Sequence, residues 1–266
     1  MERTPEPTPE LTSGVTYGVL GVGSIARAIV TGLCDGVAEP PEVVLSPRGA
    51  ATSAELAERF PTVEVAPGNQ AVLDTADVVV VCLRSADAGL LGELVWRADH
   101  VVISAVAGLG MARLTDLVAP AARVCRSVPM PPVADRAGLT SVHPPLAEAR
   151  ELFDRLGTTM EVEDVSAYES LSATSATLAG FFEYLSTQSD WLEQRGIPAE
   201  DARRYVAATY AGALGSLHGG HTFTELAAEY ATPGGVNEQV ARELREAGAY
   251  DALAEALTHA HARLAT

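Results

Sequence analysis

The sequence predicts an α/β fold in two parts: a doubly wound parallel sheet, then an all-helical dimerisation domain. Three observations carry this. From Thr16 to about Val165, short and nearly continuous apolar runs alternate with helical stretches, the pattern of parallel strands covered on both faces. At the first alternation, GVGSIA (residues 21 to 26) sets two glycines and an alanine where a strand becomes a helix. After Ser166 the strand signals largely vanish and helical periodicity takes over.

The elements follow in order. Strands are read at TYGVLG from Thr16, PEVVLS from Pro41, TVEVA from Thr62, ADVVVVCL from Ala76, HVVISAV from His100 and ARVCRSV from Ala122. A last strand is expected near Leu139 to Val142. Helices are read at Ile25 to Cys34, Ser53 to Phe60, Asp87 to Trp96, Met111 to Val118 and Ala147 to Leu156. Val78 to Leu83 is apolar on both faces, so its strand is expected at the centre of the sheet. Beyond it, Tyr168 to Gln194 and Ala199 to Leu217 read as long helices separated by RGIP, with three shorter helical stretches after them. Ala173, Ala176, Ala179, Ala207, Ala208, Ala211 and Ala213 line these helices and permit close packing. A helical half this small and apolar is expected to bury its surface against a second copy. The division is therefore a leader at 1–14, a dinucleotide-binding domain at 15–165 and a helical dimerisation and substrate domain at 166–266.

Composition excludes several classes. Over 266 residues the formal net charge is −17, from 18 basic and 35 acidic side chains, which argues against a nucleic-acid surface and leaves anionic ligands dependent on local basic residues. No run of about 18 apolar residues is present, so no membrane span is expected. MERTPEPTPELTSG lacks an apolar core and reads as a disordered leader rather than a signal peptide. Cys34, Cys82 and Cys125 are widely spaced in apolar contexts, with no CxxC. They fit buried thiols of a cytoplasmic protein better than a disulfide framework or a zinc site.

The glycine turn carries the main functional signal. In a dinucleotide site, Gly21 makes the tight turn, Gly23 lets the backbone reach a pyrophosphate, and Ala26 lets helix and strand pack closely. The N–H groups of the helix start, including Ser24 and Ile25, point at the anion. A turn that binds nothing would carry the same residues. The end of the second strand chooses the dinucleotide. An NAD site places an acid there for the ribose 2′-hydroxyl, whereas SPRGAATS offers Ser46 and Arg48, with Thr52 and Ser53 behind. A serine and a guanidinium suit a 2′-phosphate, so NADP(H) is the expected cofactor; a solvated loop arginine is the alternative.

Taken together, these segments resemble the pyrroline-5-carboxylate reductases, which reduce a cyclic imine to proline with NAD(P)H. The resemblance rests on GVGSIARAIVTGL, SPR, NQAVLDTADVVVVCL, VVISAVAGLGMARL, RSVPMPP, GLTSVHP and ATPGGVNEQV, in that order. It implies that Asn69 lies near the adenosine and that Leu83 and Arg84 line the nicotinamide side. It sets Ala105, Ala107 and Gly108 against the cofactor, and it implies a homodimer in which two subunits build each active site.

The departures from the family pattern fall on the substrate side. The family's lysine-proline pair is Arg84-Ser85, and its Asn-Thr-Pro is Met130-Pro131-Pro132. Its Gly-Ser-Gly-Pro-Ala-Tyr corresponds to Ala173 through Leu178, which leaves Thr174 and Ser175 as the candidate catalytic hydroxyls; the alternative is that they are small polar packing residues inside a helix. Its Thr-Thr, which holds the substrate carboxylate, is Val236-Asn237. Here the substrate turn is read as Gly234, Gly235, Val236, Asn237 and Glu238. Helix-start N–H groups there would take a carboxylate and Glu238 would attract a cationic iminium; the alternative is that Asn237 and Glu238 cap the helix.

The resemblance implies an NADPH-dependent reductase of a C=N bond in a small carboxylated imine. A hydroxy-acid dehydrogenase and a non-catalytic NADP-binding homologue are the alternatives. The chain contains no lysine, which counts against the lysine-dependent dehydrogenases. No metal site is expected: His218 and His221 read as an interhelix loop, His259 and His261 fall on different helix faces, and His143 reads as a loop residue. Tyr168 and Tyr184 read as core.

Overall fold

In a computed structural model the described residues are 14–264; the leader expected at 1–14 lies almost wholly outside them. The chain divides into two compact units, the first running to Ser172 and the second from Ala173 to His261.

The first unit is built on one eight-stranded sheet in the order β3-β2-β1-β4-β5-β6-β7-β8. The strands are β1 (Thr16–Leu20), β2 (Glu42–Leu45), β3 (Val63–Val65), β4 (Val78–Val81), β5 (Val101–Ser104), β6 (Arg123–Val128), β7 (Gly138–His143) and β8 (Gly157–Glu161). Helices α1 (Ser24–Cys34), α2 (Ala50–Arg59), α3 (Asn69–Thr75), α4 (Met111–Leu117) and α5 (Ala147–Asp154) connect them. Strand residues alternate between two cores. Tyr17, Val19, Val43, Leu45, Val78, Val80 and Ile103 face α1, α2 and α5. Leu20, Val44, Val79, Val81, Val102 and Val124 face α3 and α4. This two-sided burial is why the strands read as continuous apolar runs. β4, all four residues buried, lies between β1 and β5 near the middle of the sheet.

Four local features differ from the sequence reading. β6 and β7 pair antiparallel, because a 3-10 turn at Pro131–Asp135 reverses the chain in fewer residues than the dozen a parallel crossover needs. β8 extends the sheet parallel to β7, beyond the strand near Leu139 to Val142 expected to be the last. Ser85–Glu93 forms 3-10 helix rather than the α-helix expected at Asp87 to Trp96; Gly89 and Gly92 weaken α-helix there. His143 ends β7, is buried, and stacks 5.5 Å from the Tyr168 ring instead of lying in a loop.

The second unit is helical. The stretch read as one helix from Tyr168 is two: α6 (Val165–Ser175), which starts in the first unit, and α7 (Leu178–Glu193). Tight three-residue bonds from Ala176 N–H to Ala173 O and from Thr177 N–H to Thr174 O interrupt the register between them. α8 (Ala199–Leu214), α9 (Phe223–Tyr230), α10 (Val236–Glu246) and α11 (Ala249–Leu264) follow. α11 runs for 16 residues, longer than the short stretch expected. α7 packs on α8. Among the described residues from Ala173 onward, Ala173, Ala202, Val206 and Leu226 are the hydrophobic residues that become buried, whereas Phe182, Trp191, Tyr205 and Phe223 are exposed. Among the described residues no helix is long and apolar enough to cross a membrane.

Candidate dinucleotide and substrate site

The order of β3-β2-β1-β4-β5 reverses direction at β1, so the crevice outside the carboxyl ends of β1 and β4 is where an open parallel sheet takes its ligand. The loops after β1, β2, β4 and β5 all open on that edge. Gly21 turns there with φ +85°, a left-handed conformation natural to glycine. A Cβ on it would meet Leu83 Cδ2 at 2.8 Å and Cys82 O at 3.0 Å, so this glycine serves the packing of the turn against the β4 loop. Gly23 is different. It has an ordinary extended φ, is exposed, and a Cβ there would have nothing within 4 Å. Its outer face is open to a ligand.

α1 begins at Gly23 with no side-chain cap and no acidic residue in its first turn. Its first N–H donors, at Ser24 and Ile25, thus stay available to an anion. Ala26 is fully buried behind them. These features fit a dinucleotide pyrophosphate: an open cradle, unspent donors and no competing carboxylate on the helix start.

The residues at the end of β2 divide their work. Ser46 is fully buried; its Oγ accepts the Gly21 N–H at 2.9 Å, and its carbonyl accepts the Ser53 hydroxyl at 3.0 Å. It pins the glycine turn from inside, a role not legible in the sequence. Arg48 keeps its backbone in the same frame, its carbonyl accepting the Val22 N–H at 3.1 Å. Its guanidinium reaches the Asp87 carboxylate at 2.7 Å. Arg84 Nε donates to the same Asp87 oxygen at 2.8 Å. The structure thus brings Arg48 and Arg84 together through Asp87, a residue the sequence reading used only as the start of a helix. The two guanidinium groups hold the Asp87 carboxyl below the usual carboxylate range.

The other residues expected on the cofactor side lie at the same edge. Leu83 is buried against the Gly21 turn. Asn69 is half-buried at the start of α3. Ala105 is tied by its N–H to Val81 O at 2.8 Å, and Ala107 and Gly108 are exposed just beyond β5.

A buried polar cluster supports this end of the sheet. Arg126 on β6 and Glu169 on α6 are both largely buried and pair at 3.4 Å. The Arg126 guanidinium also lies 4.7 Å from the centre of the Tyr168 ring. Burial pushes the Tyr168 hydroxyl up to about 12, so it holds its proton as a core side chain. Tyr184 instead is part-exposed, its hydroxyl accepting from Tyr210 at 3.2 Å. Burial pushes the Cys34 thiol up to about 11 and that of Cys82 to about 12.

The substrate-side candidates lie in the second unit. Thr174 is exposed and Ser175 half-buried at the end of α6, with the Thr174 carbonyl accepting the Thr177 hydroxyl at 2.8 Å. At the start of α10, Gly234 turns with φ +73° and its N–H donates to Glu238 Oε2 at 2.7 Å. Gly235 is the residue preceding the helix, and Val236 is exposed at its first position. The Asn237 amide donates to Tyr230 O at 3.1 Å. Glu238 thus folds back over its own helix start, and Asn237 ties that turn to α9. Among the described residues no His, Cys, Asp or Glu cluster has the makings of a metal site.

Comparison with known proteins follows this division. Residues 166–266 match the family model described as pyrroline-5-carboxylate reductase dimerisation. Residues 16–108 match the one described as NADP oxidoreductase, coenzyme F420-dependent. A pyrroline-5-carboxylate reductase of Corynebacterium melassecola is 26% identical over 88% of this chain and 91% of its own length. One from Vibrio alginolyticus is 26% identical over 92% of this chain and 94% of its own. The solved 1-pyrroline-5-carboxylate reductase of Streptococcus pyogenes superposes with a TM-score of 0.78 at 21% identity, across 94% of this chain and 97% of that one. With near full-length relatives of one name and both halves matched in order, the chain is similar along nearly its whole length to the pyrroline-5-carboxylate reductases and shares their fold.

Proposed function

We propose that this protein is an NADPH-dependent reductase of the C=N bond of a small carboxylated imine, with pyrroline-5-carboxylate as the first substrate to test. The observation that carries the reading is the open cradle at Gly23, heading an uncapped helix beside Arg48, with no carboxylate at the end of β2. The full-length relatives named for this reaction support it.

A bound reduced nicotinamide supplies the hydride. The chain's task is to bind, orient and exclude water. Gly23 and the α1 N-terminus hold the pyrophosphate, and Arg48 answers a 2′-phosphate, where an NAD site would carry an acid. An imine that arrives protonated accepts the hydride at carbon and leaves as the amine, so no strong acid is required of the protein. Glu238 favours such a cation, the turn around Val236 and Asn237 takes the carboxylate, and Thr174 and Ser175 supply hydroxyl contacts.

The protein acts as a homodimer built on its helical half. The support is the exposure of Phe182, Trp191, Tyr205 and Phe223 on a unit that buries few apolar residues of its own; surface of that kind marks an interface.

The test is NADPH oxidation with pyrroline-5-carboxylate, other cyclic imines, and small 2-oxo acids with and without amines. Turnover of an imine at a rate exceeding that with NADH supports the reading. Turnover of a 2-oxo acid alone makes the protein a hydroxy-acid dehydrogenase. Tight NADPH binding without turnover of any of these makes it a non-catalytic homologue.

A further inference from the structure

We propose that Asp87 is a latch on the dinucleotide crevice, an internal rival that the cofactor's 2′-phosphate displaces from Arg48 and Arg84. The inference rests on the NADP(H) reading above and adds to it a residue that sets how strongly NADPH is preferred.

The geometry is specific. Arg48 follows β2, Arg84 and Asp87 follow β4, and β1 lies between those two strands. A bond from the β2 loop to the β4 loop therefore crosses the end of β1, where the Gly21 to Gly23 turn opens. One carboxylate oxygen, Asp87 Oδ2, takes both guanidiniums, Arg48 at 2.7 Å and Arg84 at 2.8 Å. Two like charges are thus gathered at one point and balanced by a single negative charge. The assembly keeps a net positive charge in a protein of formal charge −17.

A phosphate monoester carries up to two negative charges and three acceptor oxygens. It is a better partner for two guanidiniums than one carboxylate oxygen is, and it can accept from Arg48 and Arg84 in paired geometry. The Arg84 side chain is 81% exposed and that of Arg48 41%, so both can swing. Exchange of carboxylate for phosphate opens the bridge over the glycine turn and satisfies the arginines in the same event. NADH offers no such exchange, because its ribose has a hydroxyl there. Exposed ion pairs are weak individually, so the latch tunes affinity without blocking entry.

The experiment is calorimetric titration of NADPH and of NADH into wild type, Asp87→Asn, Arg48→Ala and the double variant, with rapid-mixing association rates and a thermal melt of each. Asp87→Asn is expected to bind NADPH about threefold to tenfold more tightly, the range set by releasing two exposed ion pairs, with faster association and a smaller change for NADH. In the Arg48→Ala background the same change should have little effect. Asp87→Ser serves as a second variant should the asparagine amide form new bonds. Unchanged or weaker NADPH binding in both Asp87 variants overturns the latch while leaving the NADP(H) reading intact, provided Arg48→Ala still loses NADPH selectively. If wild type and Arg48→Ala bind NADPH and NADH alike, the NADP(H) reading fails and the latch fails with it.

Discussion

Replacing Gly21 and Gly23 one at a time by alanine separates a turn that folds from a turn that binds. At Gly21 the backbone is left-handed, φ +85°, and the new methyl would sit 2.8 Å from Leu83 Cδ2 and 3.0 Å from Cys82 O. The conformation costs an L-residue about 1–2 kcal/mol, and forcing an extra methyl into a packed site costs about 1–3 kcal/mol. Gly21→Ala is therefore expected to lose roughly 2–5 kcal/mol of stability, on the order of 5–15 °C in Tm. At Gly23 the methyl meets nothing within 4 Å, so the fold should be unaffected. Its methyl would project into the cradle, where backbone and pyrophosphate must approach closely. Gly23→Ala is expected to weaken NADPH about tenfold, about 1.4 kcal/mol, with Tm within about 1–2 °C of wild type. Thermal melts and NADPH titrations of both variants measure the two effects. If Gly23→Ala binds NADPH as wild type does, the open face is solvent and the pyrophosphate lies elsewhere.

Three further outcomes follow from the structure. Glu169→Ala leaves Arg126 charged and buried beside Tyr168, and should cost about 3–5 kcal/mol in a urea titration; Arg126→Met with Glu169→Leu together should recover most of that loss. The Cys34 and Cys82 thiols titrate at about 11 and about 12 in the folded chain against 9.0 as free thiols. The folded state holds those protons more tightly, so their contribution is full below about pH 9 and is lost as pH rises toward 11 and 12. Urea midpoints should fall across that window, and the fall should shrink in Cys34→Ala. Asn237→Ala should raise KM for a carboxylated imine several-fold while leaving NADPH affinity unchanged; a lower Tm with unchanged KM makes Asn237 only the tie to Tyr230.

The sheet was legible where burial on both faces writes one continuous signal, as in Val78 to Val81, and the βα turn was legible because Gly21, Gly23 and Ala26 answer steric demands one residue at a time. Legibility failed where the decisive interaction is tertiary. Thr158 and Thr159 form strand only because β7 is there to pair with them. The break between α6 and α7 lies in ordinary helix-forming residues, and the switch to tighter bonds at Ala176 and Thr177 carries no glycine or proline to announce it.

The candidate site shows the same limit in its chemistry. SPR announces a serine and an arginine for a phosphate, and both stand at the end of β2, yet Ser46 faces inward to hold the Gly21 N–H and Arg48 alone faces out. Side-chain direction at a strand end follows from the path of the next few residues, which composition does not specify. Asp87 carries the point further. In LRSADAG it reads as an ordinary acid in the first turn of a helix, because its partner is 39 positions away at Arg48. Only the strand order, with β1 between β2 and β4, converts that separation into a bond across the glycine turn. A sequence can thus display the groups that attract a dinucleotide while hiding the group that competes with it. The competitor is the more informative target for mutation, since removing it should strengthen binding, and few accidental effects of substitution do that.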